Sequence, residues 1–162
     1  MPPPAPARAG AAEELSGLFL QSCLPYAGQP AALRRWAATA RLPEIADPAR
    51  TRFLVGAAGK VFDASNAAGK FVLLSADDGV CAVITEQAGD QETVKGLEDA
   101  LKGARAMFRM VIERDDKLNP ALHHREYLAT KGNRAWRILI ATKRDGKAGE
   151  TPGRAMLTAA PE

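Results

Sequence analysis

The sequence predicts an α+β domain: an antiparallel sheet of about five to seven strands with N-terminal helices and one mid-chain helix packed on it. Three observations carry that prediction. Two segments before residue 42 repeat their apolar residues at the helical period. From Lys60 onward the chain breaks into short β-branched runs separated by tight turns, which favours antiparallel pairing. A third amphipathic segment, Gln91 to Lys102, divides those runs into two sets.

A length of 162 residues suits one domain with an ordinary core, and the 6% aromatic share makes that core one of Leu, Val, Ile and a few Phe. No run of about 18 apolar residues is present, so no membrane span is expected. Residues 1–11, rich in Pro and Ala, are expected to be a flexible tail ahead of a single domain over residues 12–160. The tail lacks the apolar stretch of a signal peptide, and the expectation is that such a peptide has been removed from an exported chain.

The first helix runs from Glu13 to Leu24. Leu15, Leu18, Phe19, Ser22 and Cys23 fall on one face, acids occupy the first turn, and Pro25 closes it. A second helix runs from Pro30 to about Ala40, with Gln29 near the cap. Its inner face is Leu33, Trp36, Ala37 and Ala40, and Arg34, Arg35 and Arg41 lie outside. Pro43 and Pro48 bracket a loop, and Arg52 to Val55 fits either a strand or a helix end.

The β region opens with Lys60 to Asp63 and a turn over Ser65 to Gly69. A hairpin follows, Lys70 to Ala76 and Val80 to Thr85, turning at Asp77-Asp78-Gly79, where glycine accepts a positive φ. This hairpin is expected at the centre of the sheet. In the third helix Val94, Leu97, Glu98 and Leu101 share a face, and Gly103 is placed as the C′ residue. Further strands cover Ala106 to Glu113, His123 to Ala129, Ala135 to Thr142 and Arg154 to Ala159. Arg144 to Gly153 is a polar loop.

No motif with chemistry survives inspection. Gly56 to Lys60 and Ala68 to Lys70 lack phosphate-loop spacing, and Val61 and Phe71 stand where Ser or Thr would hold magnesium. Ser22, Ser65 and Ser75 have no nucleophile context, and Asp77-Asp78 is explained by the turn. His123 and His124 are adjacent on a strand, so their rings face opposite ways and cannot chelate one metal. A solvated strand edge accounts for them. A metal site would need ligands from elsewhere, such as Asp63 or Asp115, and nothing selects them; an enzyme would need a cluster such as His124, Glu126 and an Asp from another element.

The 22 Lys and Arg are spread among 19 acids, for a net charge of +3, which disfavours a nucleic-acid partner. The C-terminal third is the most basic part. Its residues near Trp136, with Arg137, form a candidate partner surface, as do Arg34 and Arg35 on the second helix. The plain alternative is a wet surface with Lys and Arg stems covering apolar neighbours.

Cys23 and Cys81 are too far apart for a local redox or zinc motif, and both fall on core-facing positions. In an exported protein they would pair, closing a loop of about 58 residues and stabilising by about 4 kcal/mol in the chain-entropy treatment. In a cytosolic protein they would be two buried thiols, and a catalytic thiol is a third option.

Phe19, Cys23 and Leu24 in the first helix, Gly79, Cys81 and Val83 in a strand, and the Ala155 to Ala159 ending resemble a group of short, uncharacterised exported proteins of proteobacteria. The resemblance implies a periplasmic location and supports the Cys23–Cys81 pairing. It transfers no catalytic residue. The expectation is therefore a non-enzymatic periplasmic protein, without cofactor or metal, that binds a protein partner or serves a cell-envelope system. The alternative is a small-ligand module with a pocket between the sheet and the N-terminal helices.

Overall fold

The protein is seen here as a computed structural model that describes residues 10–143 and 154–162. Most of the expected tail and the polar loop Arg144 to Gly153 lie outside the described residues. The helices are α1 (Ala11–Gln21), α2 (Cys23–Tyr26), α3 (Pro30–Thr39), α4 (Ala49–Leu54) and α5 (Asp90–Gly103). The strands are β1 (Gly59–Asp63), β2 (Val72–Ala76), β3 (Cys81–Thr85), β4 (Met107–Asp115), β5 (Leu122–Lys131), β6 (Arg134–Lys143) and β7 (Ala155–Pro161). They form one antiparallel sheet in the order β1-β2-β3-β7-β6-β5-β4. The α+β class and the strand count agree with the sequence.

Several local readings change. The first helix breaks at Ser22, whose hydroxyl donates to the Leu18 carbonyl at 2.6 Å and competes with the helical ladder. Pro25 then sits in the first turn of α2 instead of closing α1, at a position where its missing N–H costs nothing. Arg52 to Leu54 ends a helix. Gly103 is the last helical residue of α5, not its C′ residue. Arg105 takes that place with φ 60°, and the Ala106 N–H reaches the Leu101 carbonyl at 3.0 Å.

The expected centre of the sheet is also corrected. The β2–β3 hairpin lies toward one end, and β7 is the fourth of seven strands. Two rows of opposed residues cross the sheet. Phe62, Leu73, Val83, Leu157, Ile140, Arg125 and Glu113 make one row. Val61, Leu74, Ala82, Thr158, Leu139, Glu126 and Ile112 make the other. Opposed residues share a face, so the first row marks the core face and the second the outer face.

On the core face Leu15, Phe19, Leu33, Leu97 and Leu101 of the helices pack on Leu73, Val83, Ile138, Ile140 and Leu157. The helices do not all lie there. Leu54 of α4, with Phe53 and Ile45, packs on Val61, Leu74 and Ala82 of the outer face. Across the first row the residues turn from apolar at the β1 end to charged at the β4 end, where Arg125 and Glu113 lie.

Candidate functional site

The N-terminal helices are fastened to the β2–β3 turn at three points. Cys23 and Cys81 form a disulfide with Cα atoms 5.2 Å apart, and both are fully buried. Gly28 donates its N–H to the Gly79 carbonyl at 2.9 Å. Arg34 donates to the Ser75 hydroxyl at 3.1 Å, to the Ser75 carbonyl at 3.0 Å and to the Asp77 carboxylate at 2.6 Å.

This arrangement changes the expected partner surface. Arg34 is engaged within the fold, and Arg35 alone of the α3 pair is exposed without a side-chain partner among the described residues. Trp136 is only 5% exposed. Its indole N–H donates to the Leu24 carbonyl at 2.8 Å, and Arg134 stacks over its ring at 5.2 Å. Trp136 shares its parity on β6 with Ile138 and Ile140, which places it in the core. Arg137 projects from the opposite face and bridges Glu126 at 2.8 Å and Glu162 at 3.4 Å. Arg34 and Trp136 are thus engaged within the fold, while Arg35 and Arg137 are exposed.

The polar end of the core face holds an ionic network that the sequence reading did not assemble. Asp90 opens α5, where a carboxylate suits the helix dipole. Arg125 donates to it from both terminal guanidinium nitrogens, Nη1 at 2.5 Å and Nη2 at 3.1 Å, and the buried Thr142 hydroxyl donates to the same carboxylate. Burial pushes the Asp90 carboxyl up, but the hydrogen bonds from Arg125 and Thr142 and the Arg125 charge outweigh it and hold the group below the usual carboxylate range. Burial, followed by the nearby Glu98 charge, pushes the Tyr127 phenol up to about 12.

His123 extends the network, its Nδ1 at 2.8 Å from Asp115 and its Nε2 at 3.0 Å from Glu113. His124 faces the other way and meets Asp116 at 3.0 Å. The two side chains are 12% and 18% exposed, so the solvated edge expected for them is corrected to a pair of part-buried carboxylate contacts. Asp116 is held below the usual range by the backbone N–H groups of Asn119 and Leu118 and then by His124. Thus the histidines fasten the β4–β5 turn from both faces. His124 and Glu126 do share a face, but Glu126 is taken by Arg137 and neither meets Asp63. The signal for the network was present in β5, where His123 and Arg125 share parity with buried Tyr127 and Ala129.

Among the described residues no group of three His, Cys, Asp or Glu could hold a metal. Hollows of about 300, 350 and 610 Å³ lie beside α5, beside α1 and between α1 and α5. In the interface between the sheet and the N-terminal helices, where the alternative reading places a ligand pocket, Leu15, Phe19, Leu33 and Leu73 pack together, and the hollow beside α1 is lined also by Ala64 and Phe71. Among the described residues no helix is long and apolar enough to cross a membrane.

The two sheet edges differ. Along β1, Ile45 donates its N–H to the Val61 carbonyl at 2.8 Å and Asp63 donates to the Pro43 carbonyl at 2.8 Å, so residues 43–45 cover that edge. Strand β4 pairs only with β5 among the described residues, which place no strand on its outer edge. On it Met107, Met110 and Ile112 are 77%, 47% and 40% exposed, and a bulge interrupts the ladder between Met110 and Ile112.

Searches of protein-family models, curated proteins and solved structures find no match to this chain.

Proposed function

We propose that this chain is a non-enzymatic periplasmic domain that binds a protein partner of the cell envelope by taking an extended segment onto the edge of β4. The observation that carries this reading is the contrast between the edges. One is covered by the chain itself, and the other has no strand beside it among the described residues and carries three exposed apolar side chains. Such an edge is a template for strand addition, and proteins normally cover or blunt it. A buried disulfide fits an oxidising compartment.

The test is a photo-reactive phenylalanine analogue placed at Met110 or at Arg52, with cross-linking in cells exporting the protein. The reading expects adducts from the Met110 site and few from the Arg52 site. Equal yields at both sites would defeat it.

A further inference from the structure

We propose, resting on the strand-addition reading, that the segment taken up by β4 alternates apolar and acidic residues. Register fixes the faces of the strand. Arg109 opposes Leu128, Ile112 opposes Glu126 and Arg114 opposes His124, so Arg109, Ile112 and Arg114 share the outer face. Phe108 and Met110 point to the face that carries α5, as do Glu113 and Asp115 beyond the bulge.

The outer-face cations of β4 are the unmet groups. Arg109 and Arg114 are exposed and have no ion pair or side-chain hydrogen bond among the described residues. The nearest outer-face acid on β5, Glu126, is already held by Arg137 at 2.8 Å. On the α5 face the charges are matched instead, since Glu113 meets His123 at 3.0 Å and Arg125 at 3.6 Å. That face offers an added strand the apolar Phe108 and Met110. A strand laid along β4 therefore meets cations and Ile112 on one side and apolar side chains on the other. Side chains alternate along a strand, so the complementary segment alternates too.

A second copy of the chain fits less well. Its own β4 would present Met107, Arg109, Ile112 and Arg114 on the outer face, setting cation beside cation. The occupant is an acidic–apolar stretch of another protein.

The test uses the full disulfide-bonded domain and fluorescent, end-capped decapeptides alternating valine with glutamate, lysine or serine, read by anisotropy. The valine–glutamate peptide is expected to bind about tenfold tighter than the valine–serine peptide, the scale of two exposed ion pairs, and to weaken as salt rises. In Arg109→Glu/Arg114→Glu the preference should pass to the valine–lysine peptide. Equal binding of the glutamate and serine peptides overturns the acidic preference and leaves strand addition standing. Binding of no peptide, or glutamate-peptide binding unchanged in Met110→Ser/Ile112→Ser, overturns both.

Discussion

Gly28 and Gly79 meet backbone to backbone beside the disulfide, and a Cβ on Gly79 would lie 2.8 Å from the Gly28 Cα. Both have positive φ, at 80° and 99°. Strain and clash therefore coincide, and the obstacle is main chain that cannot rotate aside. Gly79→Ala should cost about 2 kcal/mol or more in urea unfolding. A change within a few tenths of zero would show that the contact yields freely.

The Cys23–Cys81 bond is shielded on every side, so native protein should resist dithiothreitol and react only when denaturant is added. Intact mass after alkylation reads this directly. Cys23→Ser/Cys81→Ser should lose about 2 to 5 kcal/mol of stability. Two alkylated cysteines in native, unreduced protein would contradict the bridge.

Asp90 gives the pH dependence a sign. Its folded carboxyl titrates below its unfolded value of about 3.9, so between the two values the unfolded chain holds more protons. Its stabilisation is present above that range and is lost as pH falls through the folded value. The urea midpoint should drop on acidification below about pH 4, and less steeply in Asp90→Asn. At neutral pH that variant should already be weaker by about 2 kcal/mol, because Arg125 is left part-buried without its carboxylate. Parallel pH profiles would assign the acid sensitivity to other groups.

Thr158 sits midway along the outer row with its hydroxyl buried and without a partner among the described residues. Thr158→Val removes a desolvated hydroxyl and keeps the shape. It should raise stability by about 0.5 to 1 kcal/mol. A loss of stability would reveal a partner for the hydroxyl.

The sequence carried the elements better than their arrangement, and the reason differs by residue. The β2–β3 hairpin is local, so its turn residues and β-branched runs announce it. Its position in the sheet depends on β3 pairing with β7, from Cys81 to Ala159, and nothing local encodes that distance. Arg34 looked like free surface because its partners Ser75 and Asp77 lie more than 40 residues on. Trp136 looked like part of a partner surface, although its parity with Ile138 and Ile140 puts it inside. The ionic network was half legible. Strand parity gathers His123 and Arg125, but Asp90 arrives from the start of a helix.

The place of β7 governs the order in which the chain can be completed. When everything from Gly59 to Lys143 has been made, its strands can pair only as two separate meanders, β1-β2-β3 and β4-β5-β6. The seventh strand supplies both missing ladders, five pairs to β3 and seven to β6, and closes the gap between them. Until it docks, each meander shows a raw inner edge and half a core. The sheet therefore becomes continuous only through its most non-local pairings, those of β7, and the two halves of the core close together when that strand docks.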